Sequence, residues 1–184
     1  CLVKPRTHMR PSPAESLRCF FSTVLLALVL AGPASAQTDK KITRIRAAVA
    51  AIAENAPGYT RIVRDVEGIA LEGTEATYFH LAGNLKKINT KTFGETYRAA
   101  GEFYYEDGEL IFAFIRNDRY DVPLGSNPSP KVLRAEEQRF YFADGEMIRL
   151  LVGSTEMKPD VERHAELKKS VVEISGKLIG ADRH

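Results

Sequence analysis

An α+β fold is what this sequence predicts: an antiparallel β-sheet of about six strands, arranged as a hairpin meander and bracketed by N- and C-terminal helices. Three observations predict it. Apolar residues recur at helical spacing near both ends of the chain. Between those ends the apolar period switches to two. Three aromatic-rich segments there share one turn pattern centred on Gly.

Met9 opens a stretch with the features of a secretory signal peptide: Arg10 and Arg18 as a positive n-region, then the apolar run CFFSTVLLALVLAG from Cys19 to Gly32. That run is shorter than the roughly 20 residues a spanning helix needs. Pro33-Ala34-Ser35-Ala36 supplies the small-x-small pattern of a cleavage site, so the exported chain is expected to begin at Gln37. Pro33 follows Leu-Ala-Gly where a lipid anchor requires Cys, and there is no twin-arginine pair. Residues 1–36 are therefore read as upstream residues plus a cleaved signal peptide, and residues 37–184 as a single α+β domain. The expected location is periplasmic or secreted, with no membrane anchor after cleavage.

In the exported part, Ile42, Ile45, Val49 and Ile52 form one helical stripe among helix-favouring alanines, and Asn55-Ala56-Pro57-Gly58 ends it. The segment Tyr59–Val66 suits either an early strand or a continuation of the helix. Then come three similar segments, Tyr78–Leu85, Phe103–Leu110 and Phe140–Met147, each an aromatic strand, a tight turn and a second apolar strand. Asp107-Gly108 and Asp144-Gly145 suit a two-residue turn with positive φ at both positions. The spacing between the three is uneven, 25 and then 37 residues, which favours a meander over a solenoid. A Pro- and Gly-rich stretch from Asn117 to Pro130 accounts for the longer interval and reads as an inserted loop. At the far end Pro159-Asp160 starts a second helix. Its stripe is His164, Leu167, Val171, Ile174 and Leu178, with Gly180 just beyond.

Aligning the hairpins assigns faces. One face would carry Tyr78, Phe103 and Phe140, then His80, Tyr105 and Phe142, then Leu85, Leu110 and Met147, continuing through Lys87, Phe112 and Arg149. The other would carry Phe79, Tyr104 and Tyr141, then Ile111 and Ile148, then Ile88, Ala113 and Leu150. Both faces are apolar in their middle, whereas an antiparallel sheet with one wet face alternates cleanly. Three arrangements satisfy this: helices on both faces, a sheet curled on itself, or one face set against a partner.

Composition narrows the function. Hydrophobic residues at 44% and charged residues at 27% are ordinary for a globular domain and exclude a disordered charged tail. The whole chain carries a formal charge of +2, and loss of the leader leaves −1, so net charge offers nothing to nucleic acid or anionic lipid. Both cysteines, Cys1 and Cys19, leave with the leader, which removes disulfide and thiol chemistry.

The stretch Leu71–Phe79 (LEGTEATYF), followed by Gly83-Asn84-Leu85-Lys86-Lys87-Ile88, resembles an uncharacterised group of exported bacterial proteins. That group has an N-terminal helix, an acidic-Gly-Gly-acidic turn and aromatic-aromatic-x-x-Gly-x-Leu hairpins. The resemblance covers roughly residues 60–153, and Thr74 departs from the second Gly of the turn. The hairpins also resemble MORN-variant repeats, which have more glycines and regular spacing. Neither resemblance implies an activity, so no functional residue carries over.

Motifs for chemistry are missing from the sequence. It has no Gly-x-Ser-x-Gly elbow, no phosphate-cradling Gly-rich loop and no His-Glu-x-x-His pair. The exported histidines, His80, His164 and His184, form no local metal cluster. Carboxylates crowd two turns, Glu106, Asp107 and Glu109 in one and Asp144 with Glu146 in the other, where solvation argues against acid–base work. No catalytic residue, metal ligand or cofactor is expected. The candidate ligand-binding residues are His80, Lys87 and Arg149, polar where the other hairpins are aromatic or aliphatic, with Tyr78 and Tyr105. They suit an anionic or aromatic ligand.

The expected function is a non-enzymatic binding or interaction module for a protein or small-molecule ligand, with no nucleic acid among its partners. Two alternatives stand beside it. A cavity of several hundred cubic ångströms lined by the aromatics would favour a carrier of an apolar ligand. A buried carboxylate within reach of His80 would favour an envelope hydrolase.

Overall fold

A computed structural model describes residues 33–183, with side chains from Ala36 onward. The signal-peptide features from Met9 to Gly32, and His184, lie outside the described residues. The chain divides into two units between Gln37 and Thr38. Of the first unit only residues 33–37 are described, as the opening of a helix; the sheet, its core and its sites belong to the second.

Helix α1 (Pro33–Asn55) leads through a short 3-10 turn into an eight-stranded antiparallel sheet, and helix α2 (Glu162–Asp182) closes the chain. The strands are β1 (Thr60–Asp65), β2 (Thr74–Leu81), β3 (Asn84–Gly94), β4 (Tyr97–Glu106), β5 (Glu109–Tyr120), β6 (Val132–Ala143), β7 (Glu146–Val152) and β8 (Thr155–Glu156). Their order in the sheet is their order in sequence, an open meander. The α+β class holds, with two strands more than the approximate six because Tyr59–Val66 resolves as edge strand β1 and a two-residue β8 follows β7.

The three hairpins turn as their sequences dictate. Asp107 and Gly108 have φ of 52° and 84°, Asp144 and Gly145 55° and 75°, and Ala82 and Gly83 51° and 82°. Only a residue pair tolerant of the left-handed region closes such a turn without splaying the strands.

Helices on both faces account for the doubly apolar sheet. On one face Val171 and Leu178 of α2 pack with Tyr78, Ile88, Phe103, Tyr105, Ala113, Phe140, Phe142 and Leu150, all nearly inaccessible. On the other, Ile42 and Ile45 of α1 pack with Tyr141, flanked by Val49, Phe112, Ile148 and Leu151.

The register corrects the face assignment. Phe79 pairs with Lys87 but His80 with Leu85; Tyr104 pairs with Phe112 but Tyr105 with Leu110; Tyr141 pairs with Arg149 but Phe142 with Met147. One residue is therefore extra on the outgoing strand of every hairpin: Lys86, Ile111 and Ile148. Such a bulge exchanges the two faces for every residue beyond it. Ile88, Ala113 and Leu150 consequently enter the α2 core, while Lys87, Phe112 and Arg149 turn to the α1 side.

Three boundaries also move, the first being the start of α2, which lies at Glu162 rather than at Pro159-Asp160. β5 runs through Tyr120, so the loop predicted from Asn117 to Pro130 is confined to residues 121–131. It is tied down: the Asp121 amide donates to the Lys131 carbonyl at 3.1 Å, and the Leu124 amide to that of Glu95 at 2.8 Å. Gly180 lies inside the last turn of α2 rather than beyond it.

Candidate functional site

The five residues singled out from sequence divide between the two faces. Tyr78, His80 and Tyr105 sit beneath the C-terminal half of α2. The Tyr78 phenol donates to the Leu178 carbonyl at 3.0 Å, and the Tyr105 hydroxyl shares a 2.9 Å hydrogen bond with Ser175 Oγ. Burial, with the nearby charge of Asp182, pushes the Tyr78 phenol up to about 12, and burial pushes Tyr105 higher still. His80 Nε2 lies 2.9 Å from Asp182 Oδ2, with side chains 13% and 15% exposed. This trio fastens the helix to the sheet.

Lys87 and Arg149 lie on the α1 side, four strands apart. Lys87 Nζ is 2.8 Å from Glu102 Oε2 and sits 4.9 Å from the centre of the Tyr104 ring. Burial alone would raise the Glu102 carboxyl, but hydrogen bonds from Lys87 and Tyr104 and the Lys87 charge outweigh it and hold it below its usual range. Arg149 bridges Asp39 of α1 and Glu156 of β8, each at 3.2 Å. The five residues thus form no common patch, and each has a partner within the chain.

Three of the five acidic residues at the turn tips are likewise engaged. Asp144 pairs with Lys41 at 2.7 Å and Glu106 with Arg44 at 2.9 Å, both on α1, whereas Glu146 pairs with Lys168 of α2 at 2.7 Å. Among the described residues no group of three or more His, Cys, Asp or Glu is placed to hold a metal ion.

A concave feature lies at the other end of the α2 face. There the strands run past the N-terminal half of the helix and leave an open groove of about 430 Å³. Its floor is apolar and low. Along β4 the inward positions are Phe103, Gly101 and Ala99, and Ile115 of β5, Leu167 and Ile174 border them. Gly101 is required here, because a Cβ would lie 2.5 Å from Thr90 Oγ1 and 2.9 Å from the Phe103 ring. Small residues keep the sheet low enough that α2 spans the gap without filling it.

Polar side chains converge on this floor: Thr90 and Thr92 from β3, Asn117 and Arg119 from β5, Gln138 from β6 and Ser170 from α2. Asn117 Oδ1 is buried and has no hydrogen-bond partner among the described residues. At one end the groove opens into a second hollow of about 400 Å³ bordered by Arg119, Arg134, Glu136 and Arg163. Arg134 pairs with Glu136 Oε2, while Arg163 and Gln138 share Oε1, Gln138 at 2.7 Å. Burial raises the Glu136 carboxyl, but these hydrogen bonds and the two guanidinium charges prevail and lower it on balance.

Sequence reasoning aligned only the hairpin tips and so missed this site. The signal lay in the far halves of the strands, where Thr90, Thr92, Asn117, Arg119 and Gln138 occupy inward positions otherwise apolar. Compared with protein-family models, curated proteins and solved structures, the chain matches none.

Proposed function

We propose that this chain is an exported, non-enzymatic binding module that takes a small ligand in the groove between β3–β6 and the N-terminal half of α2. The groove itself carries the proposal. Sites for small molecules are concave, largely apolar and furnished with a few converging polar groups, commonly within about 300–1,000 Å³. This one has an apolar floor, a rim of hydroxyls and amides, and a buried amide oxygen at Asn117 that a ligand donor would satisfy. The signal-peptide features and the resemblance to exported bacterial proteins support export.

A hydrolase is the second reading, and Asp182 beside His80 is the observation that favours it. The geometry argues for a fastening instead. One ring nitrogen of His80 faces Asp182, and the other, Nδ1, is itself buried, so neither is presented to a substrate.

Titration with N-phenyl-1-naphthylamine, an uncharged fluorescent probe, tests the proposal. Ala99→Phe places a ring on the groove floor, should leave the melting temperature within a few degrees, and should weaken the probe at least tenfold. Equal binding by both proteins would remove the groove as the site.

A further inference from the structure

We infer that the ligand of this groove is an amphipathic anion, its charged group held at Arg119 and its apolar body lying over Ala99, Gly101 and Phe103. The inference rests on the groove being the binding site and adds the class of ligand.

The charge arrangement at the groove's end carries it. Arg119 stands directly opposite Arg134 in the β5–β6 register, and like charges so placed repel. Arg163, from the first turn of α2, brings a third guanidinium to the same hollow. Glu136 is the acid that borders it, and both its oxygens are occupied, one by Arg134 and the other by Arg163 with Gln138. The Arg119 side chain has no hydrogen bond or ion pair to any described residue. Three cations against one carboxylate leave the wall positive, and one planar guanidinium fork has no partner. That fork matches a carboxylate, sulfonate or phosphate, which would also relieve the repulsion between Arg119 and Arg134.

The neighbouring surface defines the rest of the ligand. Along β5 the groove-facing positions run Arg119, Asn117, Ile115: a cation, then an amide, then an apolar side chain. At about 3.3 Å per residue these span roughly 13 Å. A molecule lying along them meets charge at one end, a hydrogen-bonding group in the middle and Ile115 with Phe103 at the other. A free inorganic anion would leave the apolar floor bare, and an uncharged hydrocarbon would leave Arg119 unmet.

Paired probes test this. 8-Anilinonaphthalene-1-sulfonate carries a sulfonate that N-phenyl-1-naphthylamine lacks. The expected result is that the wild-type chain binds the sulfonate at least tenfold more tightly, with the advantage shrinking as salt rises. Arg119→Gln should remove that advantage and leave the uncharged probe unchanged. Arg119→Lys, which keeps the charge without the fork, should fall between. Arg98→Gln, exposed on the opposite face, should alter neither probe. Equal affinity for both probes, or an undiminished advantage in Arg119→Gln, would overturn the anionic ligand while leaving the groove reading intact. If neither probe binds the wild-type chain, or if both bind Ala99→Phe as well as wild type, the groove reading fails and this inference with it.

Discussion

The two ends of the sheet face beneath α2 are made from the same strands and covered by the same helix, yet one is sealed and the other open. Toward the hairpin tips the inward positions hold Tyr78, Tyr105, Phe103, Phe140 and Phe142, rings that fill the space under the helix. Three polar tips, Tyr78, His80 and Tyr105, find partners on α2 at Leu178, Asp182 and Ser175, so nothing polar is left wanting except His80 Nδ1. Toward the β3–β4 turn the same rows hold Thr90, Thr92, Ala99, Gly101 and Asn117, too small or too polar to meet the helix. The difference teaches that side-chain volume along β4 determines where α2 acts as a lid on a core and where it becomes one wall of a groove.

The largest contrast should come from truncating rings. Phe140→Ala at the sealed end empties a site 1% exposed and should cost about 3–5 kcal/mol in denaturant melts. Ser170→Ala at the groove, exposed on α2, should stay within about 0.5 kcal/mol. Comparable losses at both would mean that the groove is part of the core.

The fastening of α2 should show next. Tyr105→Phe leaves Ser175 Oγ buried without its partner and should cost about 1–3 kcal/mol; adding Ser175→Ala should cost little more, since both partners are then gone. Additive losses would indicate that the hydroxyls contribute separately.

Alkali offers a probe of the same end. Tyr78 ionises near 10 when unfolded and only at about 12 when folded, so its contribution is fully present below pH 10 and lost as pH rises from about 10 towards 12. Stability should fall across that window, and the fall should be shallower in Tyr78→Phe. An identical profile in the two proteins would contradict the burial of this phenol.

The smallest effects separate turn from helix. Gly145, at φ 75°, should lose about 1 kcal/mol on replacement by Ala. Gly176, exposed in α2 with nothing near a new Cβ, should gain up to about 1 kcal/mol from the same change. Equal shifts would mean that the turn does not need its positive φ.

Local pattern made much of this fold readable in advance. The 3.6 period around Ile42 and Ile45, the Asp-Gly pairs and the aromatic repeats each encode their element through short-range physics. Apolar middles on both faces pointed to the two helix layers as one of three arrangements. The bulges at Lys86, Ile111 and Ile148 were hidden, because a strand that carries apolar residues on both faces looks acceptable in either register. That single-residue slip placed Lys87 and Arg149 beside His80 on paper and on opposite faces in space. The groove was illegible for another reason. Polar residues at inward positions, Thr92 and Arg119 among them, can be seen strand by strand, but that they meet one another and Arg163 is decided by strand pairing and by the path of α2.

Backbone amide shift mapping during titration with 8-anilinonaphthalene-1-sulfonate tests most directly whether the open end of the α2 face is the binding site. Saturable shifts should concentrate at Thr92, Ala99, Gly101, Asn117 and Arg119, with Tyr78, His80, Tyr105 and Ser175 undisturbed. Shifts centred on the sealed end, or spread over both helices without saturation, would contradict it.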